Sequence, residues 1–364
     1  MMFDTTLKAI TASMALCLTF SCRSIHPQAD VSEQEMDAYL LVYFTDPTHD
    51  LFMATSDDGY TFTAVNNARP IVAGDTIAEQ RGIRDPHIYR GPDGTFYITM
   101  TDLHVFGQEK GKRDTKWERP DEYGWGNNRG IVLMKSTDLV NWTHSEVRLD
   151  KLFPDEFGEI GCAWAPQTIY DPAEGKPMVY FTIRKRGEHL EGGEYADKRT
   201  QLYYAYTDPD FTTFVSKPEL LFRYPDPEVQ VLDADICQLP DGRYVLTYNA
   251  QENPAGIKIA FSDKINCGYE YLPMQIDAEP GSCEAPNVWK RIGEDKWVIM
   301  YDIYSIEPHN FGFVETSDFK TFTPLGHFNE GVMKTTNFTS PKHGAVIQIS
   351  AEEKNRLENH YHTK

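Results

Sequence analysis

The chain has 364 residues, 40% of them hydrophobic and 13% aromatic, which is enough to bury a large core and excludes a disordered chain. Its formal net charge of -20 repels nucleic acid and anionic membrane surfaces, so a neutral or cationic ligand fits better. Length alone permits two domains, but all-β folds often run this long as one unit, so internal pattern must decide.

In chain order, residues 1–22 come first, with an apolar stretch from Ala9 to Phe20 that is too short for a membrane span and ends in small residues before a cysteine. This reads as an export signal. The segment Leu18-Thr19-Phe20-Ser21-Cys22 resembles a bacterial lipoprotein box. The expectation is therefore a periplasmic or outer-membrane protein whose membrane contact is a lipid on Cys22, with plain cleavage near Ser21 as the alternative. Residues 23–37 are polar without an apolar period and read as a tether. Four cysteines remain, Cys162, Cys237, Cys267 and Cys283. Their spacing matches no zinc motif, and buried free thiols are expected.

Beyond the tether, short runs rich in Val, Ile, Tyr, Phe and Thr alternate with Asp-Gly and Asn-containing turns, and long helical periodicity is absent. The runs repeat as a unit. Its starts are RDPHIY at 84, WAPQTIY at 164, LDADICQ at 232, CEAPNVW at 283 and KHGAVIQ at 342. Its ends fall near residues 56, 136, 207, 262 and 316, with Trp142 and Phe322 as packing residues of the outer strands. Five starts and five ends imply a five-bladed β-propeller, an all-β fold. The first end precedes every start, and the last start has no strands after it. Strands at 39–46, 51–56 and 60–65 should therefore pair with a C-terminal strand at 343–350 and close the ring. Residues 38–350 form one domain in this reading, and 351–364 a C-terminal tail.

In such blades the start of the inner strand, the end of the second and the start of the third share one mouth. That places Asp85, Trp164, Asp233, Glu284 and His343 around one funnel, with Arg184 at the end of a second strand. Two carboxylates flanking a pocket are what hydrolysis of a glycosidic bond requires, one to protonate the leaving oxygen and one to activate water or attack. A third nearby raises the acid's pKa by like-charge repulsion. The segment 102–130 should overhang the mouth. Its aromatic side chains Trp117, Tyr123 and Trp125 are able to stack on sugar rings, and His104, Asn127, Asn128 and Arg129 to meet hydroxyls, or else they hold the loop to the propeller.

As a set and in this order, the segments RDPHIYRGPDGTFYITMT, AWAPQTIYD, LDADICQLPDGRYVLTY, CEAPNVWKR and PKHGAVI resemble glycoside hydrolase family 43. The resemblance implies Asp85 as general base, Asp233 as modulator of the acid's pKa, and Glu284 as general acid. It also implies that His343 is a channel histidine near which members hold calcium or water, with no cofactor required. Gln167 stands where many members carry Asp or Glu, at a position that shapes the pocket. Asp235 competes with Asp233, because strand alternation puts both on one face. The implied activity is inverting removal of terminal sugars by a monomeric enzyme, α-L-arabinofuranosyl first, with β-xylosyl or exo-β-galactosyl as alternatives. An inactive glycan-binding propeller is the alternative of another class. A retaining fructan hydrolase would need an Asn-Asp-Pro segment and a Glu-Cys acid in an order that the chain lacks.

Overall fold

The computed structural model describes residues 36–185 and 200–362. The expected export signal, Cys22 and most of the expected tether lie outside them. Met36 and Asp37, placed in the tether by sequence, already belong to the folded body: Met36 is buried, and the Asp37 amide donates to the Ile349 carbonyl. No helix among the described residues is long and apolar enough to cross a membrane.

The strands in chain order are β1 (Ala38–Phe44), β2 (Phe52–Ser56) and β3 (Thr61–Ala64), then β4 (Ile83–Arg90), β5 (Phe96–Asp102), β6 (Gly130–Ser136) and β7 (Thr143–Arg148). There follow β8 (Cys162–Asp171), β9 (Lys176–Arg184), β10 (Gln201–Tyr206), β11 (Glu219–Phe222), and β12 (Val231–Gln238), β13 (Tyr244–Ala250), β14 (Gly256–Ser262), β15 (Glu270–Leu272). Last come β16 (Glu284–Lys290), β17 (Trp297–Ile303), β18 (Asn310–Thr316), β19 (Thr323–His327), the short β20 (Lys334–Thr335) and β21 (Lys342–Ile349).

Strands β4–β7, β8–β11, β12–β15 and β16–β19 each make one antiparallel sheet, blades one to four. The fifth sheet has the order β20-β3-β2-β1-β21. Its inner strand comes from the end of the chain and the rest mainly from the start, so the split unit read in the sequence closes the ring as expected. Apolar side chains pack between successive blades in five clusters, for example Leu40, Ile88 and Ile98 between blades five and one, and Tyr39, Trp289 and Phe313 between four and five. Because both faces of a blade are covered, the strand next to the inner one reads as a continuous apolar run; every residue of AYLLVYF in β1 is buried. Each fully buried large side chain contributes about 1.5–3 kcal/mol to this packing.

The repeated Ser/Thr-Asp pair caps the outer turns. Asp138 Oδ1 accepts the amides of Val140 and Asn141, as Asp318 Oδ1 does for Lys320 and Thr321. Trp142 and Phe322 pack partly buried beside them, as expected. Two sequence expectations are corrected. Residues 351–362 form a helix, Ala351–His362, rather than a loose tail; its Leu357 is fully buried in the cluster between blades five and one, and its Glu353 pairs with Arg90 at 2.6 Å. All four described cysteines are free, yet only Cys162 and Cys283 are buried, while Cys267 is exposed.

Candidate active site

Every inner strand is bulged near its start. The pairing slips between Arg84 and His87, Trp164 and Gln167, Leu232 and Asp235, and Glu284 and Asn287, and His343 is left unpaired between Lys342 and Gly344. At each bulge one residue takes a positive φ: Asp85 53°, Ala165 45°, Asp233 52°, Ala285 57° and His343 23°. Such a backbone costs roughly 1–3 kcal/mol per residue and survives where the surroundings impose it. Neighbouring blades supply that restraint. Thr101 Oγ1 accepts the Ala165 amide at 2.8 Å, Thr182 Oγ1 the Asp233 amide at 3.0 Å, and Asp302 Oδ2 the His343 amide at 3.1 Å.

The bulges sort the side chains by depth. Arg84, Trp164, Leu232 and Glu284, with the bulge residues Asp85, Asp233 and His343, line a cavity of about 230 Å³, together with Leu103, Trp125, Arg184, Gln230 and Gln251. Three residues past the rim positions of blades one, three and four, His87, Asp235 and Asn287 line a different cavity of about 350 Å³ toward the opposite mouth. This overturns the expectation that Asp233 and Asp235 share a face: the bulge between Leu232 and Asp235 breaks the alternation. Asp235 is spoken for there, accepting from Tyr180 Oη at 3.3 Å and from the Val288 amide at 2.5 Å, with His87 Nε2 3.6 Å away. The larger cavity thus holds one carboxylate that is already satisfied. The smaller holds three carboxylates, Asp85, Asp233 and Glu284.

Within it the carboxylates are held in opposite states. Burial by itself would raise Asp85, but the His343 Nδ1 at 3.2 Å, the Arg84 cation and the Thr101 hydroxyl at 2.7 Å hold its carboxyl well below the usual carboxylate range. His343 responds in kind: burial opposes its charge, yet Asp85, Asp233 and Glu284 raise it to about 9, so it is an imidazolium at neutral pH. Glu284 keeps an edge open to the cavity but is otherwise ringed by protein. Burial first and the Asp302 carboxylate second raise it to about 7, against the pull of Lys342 and His343. Asp233 is pushed well above its ordinary value by burial and by the neighbouring acidic groups Glu284, Asp85 and Asp302, with His343 opposing. One mouth therefore presents a carboxylate held low, Asp85, facing two carboxyls that are raised, Glu284 and Asp233.

Of the expected substrate contacts, Trp164, Trp125 and Arg184 line the cavity. Trp125 and Trp164 meet edge to face at 5.5 Å, and Arg184 lies over Trp164 at 5.1 Å. Gly126 makes the approach possible: its φ is +76°, and a Cβ there would sit 2.9 Å from Trp164 Nε1. The other expected contacts are brought elsewhere. Arg129 pairs with Glu118 at 2.6 Å and Asp150 at 3.0 Å, Asn128 donates to the Ala163 carbonyl at 2.7 Å, and Asn127 donates to carbonyls of its own loop, so all three hold the loop down. His104 is buried and stacks on His49 at 4.1 Å. Gln167 is buried below the bulge and accepts from Tyr180 Oη at 3.1 Å. Trp117 is buried, and Tyr123 lies under Arg119 with its hydroxyl on Glu159.

His343 gives Nδ1 to Asp85, while its buried Nε2 has no hydrogen-bond partner among the described residues; calcium takes six to eight oxygens, so the imidazole would meet such an ion only beside oxygen ligands or through water. Among the described residues, the one grouping of three acidic or imidazole donors is Glu79, Asp102 and Glu146, away from the funnel. Arg84, Leu232 and Lys342 escaped the sequence reading, although each stands directly before a motif residue, where Trp164 and Glu284 stand in their own blades.

The five blades and the carboxylate funnel define the architecture of the five-bladed glycosidase folds. Residues 34–355 match the family model described as "Probable glycosyl hydrolase domain", related to glycoside hydrolase family 43, and the chain belongs to that family. A curated relative, an alpha-L-arabinofuranosidase from Bifidobacterium longum, is 24% identical over 212 residues, 55% of this chain. The match spans 18% of that relative's length. Among solved structures, an endo-arabinase from Bacteroides thetaiotaomicron is similar over 79% of this chain and 89% of its own, at 15% identity and a TM-score of 0.52. A xylan beta-1,4-xylosidase from Bacillus halodurans is similar over 82% of this chain and 54% of its own, at 12% identity and a TM-score of 0.55. At these identities the likeness concerns the fold.

Proposed function

We propose that the chain hydrolyses terminal glycosidic bonds, α-L-arabinofuranosyl bonds first, by a single displacement with inversion. The observation that carries this reading is that Asp85, held low by His343, Arg84 and Thr101, and Glu284, raised to about 7 by burial and Asp302, line one cavity. Asp85, held by Thr101 and His343, takes a proton from water as it attacks the anomeric carbon. Glu284 gives its proton to the leaving oxygen. Asp233 shares the wall, where its raised carboxyl is placed to hydrogen-bond a sugar hydroxyl. The cavity is smaller than the roughly 300–1,000 Å³ of drug-sized sites, which suits one sugar unit rather than a chain. The arabinofuranosyl assignment draws on the name of the curated relative, and the xylosyl alternative on that of the Bacillus halodurans neighbour. We further propose export and a lipid anchor on Cys22, testable by loss of palmitate labelling in Cys22→Ser.

A panel of aryl α-L-arabinofuranosides, β-D-xylosides and β-D-galactosides tests the reading. Glu284→Gln should lose about 10²- to 10⁴-fold on substrates with poor leaving groups and far less on dinitrophenyl glycosides, which leave without a proton. Proton NMR of the first product from an α-arabinofuranoside should show the β anomer. A retained α anomer would remove Asp85 from the role of base.

A further inference from the structure

Each blade has one residue on its second strand that pairs with the rim residue of its first. These are Thr101 opposite Arg84, Thr182 opposite Trp164, Asn249 opposite Leu232, Asp302 opposite Glu284, and Phe44 opposite Lys342. In blades one and two this residue accepts the next blade's bulge amide through a neutral hydroxyl. In blade four the same duty, toward the His343 amide, falls to a carboxylate. A hydroxyl suffices for the structural duty, so the charge asks for another explanation.

Asp302 is fully buried. Its Oδ2 takes the His343 amide and lies 3.8 Å from Lys342 Nζ, while its buried Oδ1 has no hydrogen-bond partner among the described residues. We propose that Asp302 is a fourth carboxylate of the site, a positioning residue that acts through Glu284 beside it and through His343, which it anchors against Asp85. The proposal rests on Glu284 being the acid.

The resemblance assigns the modulating charge to Asp233, but burial and the neighbouring carboxylates push Asp233 itself well above its ordinary value, which weakens it as a source of repulsion. Asp302 is raised less strongly, because Lys342, the His343 amide and imidazolium, and His309 oppose its burial. It is also the largest charged influence on Glu284. The groups facing this pair are Lys342 and His343 from blade five, Asp85 from blade one, Asp233 from blade three, and His309 and Tyr304 from blade four. Removing the Asp302 charge takes away the repulsion and leaves Lys342 uncompensated. Both changes favour ionised Glu284.

The test is the pH profile of kcat/KM on an aryl glycoside that the enzyme cleaves. Asp302→Thr copies blades one and two, keeps the amide acceptor, and should move the alkaline limb down by about one pH unit. Asp302→Glu, which keeps the charge, should return the limb toward the wild-type position. An unmoved limb in a folded Asp302→Thr enzyme overturns the proposal, as does a larger shift from Asp233→Asn. If Asp302→Thr does not fold, Asp302→Asn replaces it; if neither folds, Asp302 is structural and the proposal falls. Glu284→Gln on a dinitrophenyl glycoside keeps the two failures apart. Loss of the alkaline limb there supports Glu284 as the acid whatever Asp302 does, and a persisting limb removes that reading first.

Discussion

His343 occupies a backbone conformation that a histidine rarely adopts, with φ at 23°, and it is buried against Asp85 at 3.2 Å. The ion pair is the counterpart of that strain, and its contribution to stability depends on pH. The folded-state pKa, raised to about 9, exceeds the ordinary value of 6.5, so the stabilisation is complete below about pH 6.5 and is lost as pH rises toward 9. The melting temperature should therefore fall between pH 6.5 and 9, and His343→Gln should flatten that fall. A fall of equal size in the variant would detach the effect from His343. At this scale the sequence was legible for the places of Asp85 and Glu284, which line one cavity as expected of residues at the starts of inner strands. It was not legible for Asp302, whose role comes from a partner strand 18 residues away, as 302 less 284 counts it.

The segment between β5 and β6 shows the same division at the scale of an element. Its aromatic content predicted order, and its position between second and third strands a place over the mouth; Trp125 lines the cavity accordingly. Which side chains face the cavity depends on contacts made elsewhere: Glu118 receives Arg129 and Arg148, and Arg119 reaches the carbonyls of Asn127 and Ile160. These ties turn the polar candidates away and leave Trp125 over the cavity with 49% of its surface exposed. Trp125→Ala should raise KM by about three- to tenfold, the equivalent of losing an aromatic contact worth about 0.5–1.5 kcal/mol, with kcat and melting temperature little changed. An equal loss in kcat would mean that Trp125 orders the catalytic groups rather than holding the sugar.

For the whole molecule, closure decides stability. Strand β21 pairs with β1 along its whole length, from Ala38 opposite Ile349 to Phe44 opposite Lys342, and it carries His343 into the funnel. Deleting residues 341–350 should open the ring, leave the inner edge of β1 unpaired and abolish the cooperative melt together with activity. An unchanged melting temperature would refute closure by this strand. The sequence by itself determined the number of blades, the split unit and the motif residues, because a repeat of strands and turns is local and each blade writes it anew. It also determined which carboxylates begin inner strands. Only the tertiary structure decided which of them meet in one cavity. Five bulges reset the strand alternation, separating Asp233 from Asp235 and sending Gln167 below the site. A bulge is a mismatch between two strands, imposed by groups on the neighbouring blade, so it belongs to the assembled ring and not to any one segment.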